Sequence, residues 1–275
     1  MRRLIIIFLI LFSLISQATG AEKLKIAVTH PWLAILAGFI GGAEVEIIQI
    51  REWNLDGELI RTPEYKNLHV LPPHTRVIAI DENEAKSTGL DLQDNNFEIR
   101  LLYKPFPVSL EKISDPSVMP FLAQRILTAL SEWDASNYPF YQRRLAEFQA
   151  RLSSSLLAGQ ILRGSLICDL SGVSGILLQA AGCKITRPSN EILEQMQAGK
   201  NQILKDYIDD VRAKGYLIFI DAWTHKNIKR FLAKRTDVYS WSLPTVEMDY
   251  PSFLHEQYIA LWQKTIAKPL PQKRR

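Results

Sequence analysis

Short apolar runs alternate with helix-sized segments through the first hundred residues of the chain. The runs occupy 25–29, 45–50, 76–80 and 97–103. Pro31 follows the first run and predicts the start of a helix that ends at Gly41-Gly42. Brief apolar strands separated by helical segments are typical of βα units. The pattern therefore predicts a mainly parallel sheet in this part of the chain.

The stretch from Met119 to Leu156 has no strand signal. Its apolar residues recur at helical spacing, at Leu122, Ile126, Leu130, Trp133, Tyr141, Leu145, Phe148 and Leu152. The segment 134–137 interrupts this pattern, and Pro139 suits the first turn of a new helix, where no amide donor is lost. We therefore predict two helices, over 118–132 and 137–157.

The strand-and-helix alternation resumes after Gly159. Strands are predicted at 165–170, 216–220 and near Val238, and helices after Ser189, over 224–234 and over 252–267. The fold class is thus α/β, with two βα lobes of mainly parallel sheet joined by a long helix. The expected boundaries are 22–135 for the N-terminal lobe, 136–158 for the connecting helix and 159–275 for the C-terminal lobe.

The N-terminus has the order of features found in a secretory signal. Arg2 and Arg3 precede an apolar run from Leu4 to Ile15, and small residues follow, with cleavage expected after Ala18 or Ala21. The run is short for a transmembrane helix, which needs about 20 apolar residues. An uncleaved N-terminal anchor is the alternative. We interpret residues 1–21 as a cleaved signal peptide, which places the protein in a periplasm or its equivalent.

Charge and cysteine content narrow the possible partners. The formal net charge is +4 over 275 residues, and removal of Arg2 and Arg3 lowers it to +2. The basic residues are scattered apart from the three at the C-terminus, so nucleic acid is not an expected partner. Cys168 and Cys183 are the two cysteines, and they form either one disulfide or two buried thiols.

The order of these features resembles the periplasmic solute-binding proteins of zinc and manganese ABC transporters. The match covers nearly all of the mature chain. Its best stretch runs from Ala123 to Tyr141, where the spaced residues are Ala123, Ile126, Leu130, Asp134, Asn137 and Tyr141. Gly182, Pro188-Ser189 and Phe219-Ile220-Asp221 match shorter motifs of the family. The resemblance implies a cluster A binding-protein fold with a ligand held between two lobes. It also implies delivery of that ligand to an ABC membrane permease, no enzymatic activity and a monomeric protein.

The metal-binding histidines of that family do not carry over to this chain. Gly57 stands where the first histidine is expected, and Ser117 follows Asp115-Pro116 where the second is expected. The third position falls near Ser171, or at Asp169 if the gap is placed differently, and the fourth is not securely aligned within 241–247.

Two hypotheses for the cleft follow from these replacements. Asp56, Glu58, Asp169 and Asp221 could form an oxygen-rich site, which would favour a harder divalent metal ion as transported ligand over zinc. Alternatively, metal binding has been lost and the cleft serves another ligand or a partner protein.

Further candidates for the cleft follow predicted strands. His30 and His225 come after strand ends, where ligands bind in α/β lobes. Trp32, Trp53 and Trp223 also lie near strand ends, where they either floor a cleft or pack between lobes. Glu84, by contrast, is predicted to lie in a solvated helix start.

The segment Asp169 to Gly175 permits two interpretations. It could present backbone amides and the Ser171 hydroxyl to an anion at a helix start, or form a tight structural turn. Its glycine spacing does not match the nucleophile elbow of a hydrolase.

Two function classes therefore remain open from the sequence. The first is an exported solute-binding protein, which a polar cleft would favour. The second is an exported protein-interaction module on the same scaffold, which an apolar cleft would favour.

Overall fold

The computed structural model describes residues 23–93, 95–103, 105–106, 109–245 and 247–266, so the predicted signal peptide lies outside the described residues. The strands of the N-terminal lobe are β1 (Leu24–Val28), β2 (Val45–Gln49), β3 (Arg51–Trp53), β4 (Leu59–Arg61), β5 (Thr75–Ala79) and β6 (Phe97–Leu101). Its helices are α1 (Pro31–Gly41) and α2 (Glu82–Ser87). Four of these strands form a parallel sheet in the order β2-β1-β5-β6, and β3 and β4 form an antiparallel hairpin.

The C-terminal lobe repeats this arrangement with a second parallel sheet. Its strands are β7 (Leu166–Asp169), β8 (Lys184–Thr186), β9 (Leu217–Asp221) and β10 (Val238–Trp241), in the order β10-β9-β7-β8. Its helices are α5 (Gly175–Ala180), α6 (Asn190–Gln197), α7 (Asn201–Ala213), α8 (Lys226–Leu232) and α9 (Tyr250–Ile266). Two helices lie between the lobes in the chain, namely α3 (Met119–Trp133) and α4 (Tyr138–Gly159).

The break between α3 and α4 is stabilised by the side chain of Asp134. Its carboxylate accepts hydrogen bonds from the Tyr141 hydroxyl at 2.7 Å, from Asn137 Nδ2 at 2.8 Å and from Ser136 Oγ at 2.7 Å. Pro139 lies in the first turn of α4, as predicted from its missing amide donor. These contacts fix the direction in which the 22-residue connecting helix leaves the first lobe.

One apolar core extends through both lobes. Val28 and Leu33 of the first lobe belong to the same buried cluster as Phe219 and Trp241 of the second. Tyr250 at the start of α9 donates a hydrogen bond to the Ser114 carbonyl at 2.5 Å, which ties the second lobe to the loop before α3. Because a continuous core must be broken for the lobes to separate, the structure favours small rather than large lobe movements.

The predicted α/β fold with two parallel sheets and a long connecting helix is confirmed. The structure also contains the hairpin β3-β4 and the strand β8, which were not predicted. Each of these three strands has only three residues, which is too short to give a periodic pattern. The segment predicted as one helix after Ser189 is divided into α6 and α7, because Gly199 adopts a positive φ of 87°. None of the described helices has the length and apolarity needed to cross a membrane.

Candidate functional site

The carboxyl ends of the two parallel sheets face a pocket of about 260 Å³ between the lobes. The N-terminal lobe contributes His30 after β1, Trp32 in α1 and both Trp53 and Leu59 from the hairpin. The C-terminal lobe contributes Val173 and Trp223, which follow β7 and β9. This is the place in an α/β fold where ligands usually bind. The pocket is therefore the candidate functional site.

Three tryptophans from both lobes form its wall. The ring centroids of Trp32 and Trp53 are 5.1 Å apart with the rings edge to face, and those of Trp53 and Trp223 are 5.5 Å apart in the same geometry. Trp32 and Trp223 are stacked at 6.3 Å. The sequence left open whether these residues floor a cleft or pack between lobes, and the structure shows that they do both.

His30 caps helix α1 and also lines the pocket. Its Nδ1 accepts the backbone N–H of Trp32 at 3.2 Å, so the neutral ring carries its proton on Nε2. Burial, together with the charge of Arg51, lowers the pKa of His30 to about 3. The imidazole is therefore uncharged at neutral pH and presents a single N–H donor, for which no acceptor is found among the described residues.

The position at which the sequence resemblance placed a first metal-binding histidine is closed by packing. Gly57 has a φ of +80°, and a Cβ at this residue would lie 2.7 Å from Cδ1 of Trp223 and 3.0 Å from the carbonyl oxygen of Ala222. Real Cβ atoms essentially never approach other atoms as closely as 2.7 Å. The turn of the hairpin thus reaches the second lobe only because residue 57 has no side chain.

The carboxylate of Asp221 is hydrogen-bonded to the turn after β7. Its carboxylate accepts the backbone N–H groups of Gly172, Val173 and Ser174 at 2.9 to 3.0 Å, and the Thr224 hydroxyl at 2.9 Å. The side chain is fully buried. The backbone amides that the sequence offered to an external anion are therefore bound by an anion of the protein itself, and the structural-turn interpretation accounts for this segment.

The carboxylate of Asp169 is likewise bound by groups of its own lobe. Arg187 forms an ion pair with its Oδ2 at 2.6 Å, and its Oδ1 accepts the backbone N–H of Ser171 at 2.9 Å. Gly175 must lack a side chain, because a Cβ there would collide with this ion pair. The Ser171 hydroxyl is buried and has no hydrogen-bond partner among the described residues.

The two acidic residues of the hairpin lie at the exposed rim of the cleft. Asp56 forms an ion pair with Lys229 of the second lobe at 2.9 Å, and the hydrogen bond and charge of that lysine lower the pKa of Asp56. Glu58 accepts a hydrogen bond from Asn54 Nδ2 at 2.8 Å. His225 caps α8 through Nδ1, which accepts the Asn227 N–H at 3.3 Å.

The four carboxylates proposed from sequence are thus each engaged with a different partner. In the described part of the chain, no group of three or more His, Cys, Asp or Glu side chains is placed to hold a metal ion. Of the polar side chains predicted for the site, only His30 lines the pocket, together with the three tryptophans that were also candidates. Sequence reasoning missed the apolar lining residues Leu59, Leu110, Ile113 and Val173, because an apolar residue gives no chemical signal in a single sequence.

Comparisons with known proteins agree with the fold that the sequence motifs suggested. No family model matches the chain, and no curated protein matches it in sequence. ZnuA is similar in structure, with a TM-score of 0.62, 17% identity and coverage of 89% of this chain and 100% of ZnuA. Lmb of Streptococcus agalactiae, a laminin-binding protein with adhesin and metal-transporting activity, has a TM-score of 0.63 and 14% identity. The match covers 88% of this chain and 100% of Lmb. The solute-binding protein FpvC from Pseudomonas aeruginosa, solved with Mn²⁺, has a TM-score of 0.61 and 15% identity. The match covers 90% of this chain and 99% of FpvC. At these identities the comparisons establish the fold.

Proposed function

We propose that the protein is the exported solute-binding component of an ABC uptake system. It captures a ligand between its two lobes and delivers it to a membrane permease. The observation that carries this proposal is the pocket at the carboxyl ends of both sheets, with residues from each lobe in its wall. The solute-binding and metal-transporting neighbours share the fold over about nine-tenths of this chain, which supports the same architecture of capture.

The metal-ion cargo implied by the family resemblance has little support in the described side chains. A divalent ion needs several nitrogen, sulfur or oxygen ligands directed at one point. Asp169 and Asp221 are buried in internal contacts, and Gly57 leaves no room for a replacement ligand. We therefore propose that the protein captures and delivers a ligand, and that this ligand binds in the apolar pocket rather than at a metal centre.

The second candidate function is a protein-interaction module, which an apolar cleft was expected to favour. Leu55 at the hairpin turn is 96% exposed, and Leu59 and Ile60 are also exposed. However, an interaction surface needs no internal volume, whereas this cleft contains a pocket with room for a small molecule. The pocket therefore favours solute capture.

The proposal also includes a periplasmic location after cleavage of residues 1–21, a monomeric state and no catalytic activity. These follow from the N-terminal pattern and from the fold shared with solute-binding neighbours. The N-terminal sequence of protein recovered from the periplasm tests the cleavage directly.

The test uses protein purified from its own exported compartment without denaturation. Native mass spectrometry should show an additional small mass that is released on unfolding, and metal analysis should show substoichiometric zinc, manganese and iron. A photo-crosslinker at exposed Leu55 should capture a membrane permease in intact cells, while one at Leu157, 74% exposed near the end of α4, serves as the matched control. Absence of any bound small molecule or metal, together with absence of a crosslinked permease, would overturn the proposal.

A further inference from the structure

We infer that the inter-lobe pocket takes a small, neutral aromatic molecule that carries one hydrogen-bond acceptor. This inference rests on the proposed solute-binding function and names the class of its cargo. It follows from the chemistry of the walls, from the volume and from the N–H donor of the neutral His30 ring.

The walls select an aromatic ligand. Trp32, Trp53 and Trp223 all line the pocket, and their rings meet at centroid distances of 5.1 to 6.3 Å in edge-to-face and stacked pairs. Aromatic rings prefer such offset and edge-to-face contacts, which are worth about 0.5–1.5 kcal/mol beyond area burial. Leu59 and Val173 supply further apolar contact. A planar ring can therefore join the tryptophan cluster in the geometry that the cluster already uses.

The volume limits the size of the ligand. An engineered apolar cavity of about 150 Å³ binds benzene. The pocket holds about 260 Å³, which suits one ring with a short substituent or a compact pair of fused rings.

The charge balance selects a neutral ligand. Two ion pairs near the cleft are balanced within the protein, Asp56 with Lys229 and Asp169 with Arg187, and the guanidinium of Arg51 donates to the Ser87 carbonyl. A charged ligand in an apolar pocket without a free counter-charge carries a large desolvation cost. Besides the three indoles, the pocket is lined by the ring of His30, whose neutral form offers Nε2–H and no charge. One acceptor on the ligand is the chemical complement of that donor.

The experiment compares two probes of the same shape, quinoline and naphthalene, by calorimetry and by the indole N–H signals in ¹H–¹⁵N spectra. Quinoline has one ring-nitrogen acceptor and is neutral at pH 7.5, whereas naphthalene has none. We expect quinoline to bind more tightly by about tenfold, the range of one neutral hydrogen bond. The indole signals of Trp32, Trp53 and Trp223 should shift on binding.

Two variants separate the contributions. Val173→Phe fills the pocket and should abolish binding of both probes, whereas Leu157→Phe on the exposed face of α4 should leave both unchanged. His30→Asn keeps a helix-capping side chain but removes the Nε2 donor. It should reduce the ratio of the quinoline affinity to the naphthalene affinity from about tenfold to about one, whereas a merely structural role of His30 would change both affinities and keep their ratio.

The outcomes distinguish this inference from the proposed function. If neither probe binds, but a co-purifying metal ion or polar solute is lost in Val173→Phe, the inference is wrong and solute capture stands. Equal binding of the two probes, unaffected by His30→Asn, overturns the role of the acceptor. If nothing binds and nothing co-purifies, both proposals fail.

Discussion

Gly57 of the N-terminal lobe packs directly against Trp223 of the C-terminal lobe. A Cβ on residue 57 would lie 2.7 Å from Cδ1 and 3.0 Å from Cγ of that indole. The backbone of Gly57 is also in the left-handed region, with φ at +80°. The resemblance to metal-binding proteins places a histidine at this position, and the contact with Trp223 leaves no room for that side chain.

The substitution Gly57→His should not restore a metal site. We expect it to lower the free energy of unfolding by about 2 kcal/mol or more, because strain at positive φ adds to the collision with Trp223. Urea unfolding measures this loss, and calorimetry with zinc should show no gain in affinity. Leu55→His is the matched control, since that side chain is exposed on the same hairpin. Wild-type stability combined with new zinc binding would contradict the interpretation of the site.

Most of the fold could be predicted from local pattern. Strands such as β1 and β9 are short apolar runs next to helices, and both were predicted to within one residue of their observed bounds. The hairpin β3-β4 was missed because its strands are only three residues long, which is too short to give a periodic pattern. Its position matters most for function, since it carries Trp53 and Gly57 into the cleft.

The site was less predictable because the partners of polar groups are not local. Asp221 and the amides of 172–174 are separated by 47 or more residues, so nothing near Asp221 in the sequence showed that its carboxylate is internally bound. Glu84 was expected in a solvated helix start, but it is buried and accepts a hydrogen bond from the Thr29 hydroxyl at 2.5 Å. Burial raises the pKa of Glu84.

Asp221→Asn should destabilise the C-terminal lobe. An amide in place of the carboxylate would direct an NH₂ group toward backbone N–H donors, leaving Val173 and Ser174 without their acceptor. We expect a loss of about 2–4 kcal/mol in urea unfolding, and faster hydrogen exchange at those two amides. Asp210→Asn is the control, because Asp210 forms an exposed pair with Lys214 that is worth about 0.5 kcal/mol. Equal stability of the two variants would refute the role of Asp221.

Acidification should destabilise the native protein through His30. Its folded pKa of about 3 lies below the unfolded value of 6.5. Between these values the unfolded chain binds more protons, so stability falls as pH decreases, by up to about 1.4 kcal/mol per pH unit from this group.

His30→Asn isolates this effect. The variant should lose about 2–3 kcal/mol less than the wild type between pH 6.5 and pH 4.5, measured by urea unfolding at each pH. Glu84, whose raised pKa acts in the opposite direction, is present in both proteins and cancels in the comparison. Parallel pH profiles would show that His30 has the same pKa in the folded and unfolded states.

Cys168 and Cys183 should remain thiols even in an oxidising compartment. Cys168 pairs with Thr186 across the parallel strands β7 and β8, so Cys183 lies three positions away along the strand direction. Three residues span about 10 Å, whereas a disulfide joins Cα atoms within about 7 Å. Burial also raises the pKa of Cys168 to about 12 and that of Cys183 to about 11, which leaves little thiolate to be oxidised. Unreduced protein should therefore react slowly with a thiol reagent when native and show two thiols when unfolded in guanidinium. Cys183→Ser should show one thiol, and a count of zero in the wild type would mean that the two strands shift to form the bridge.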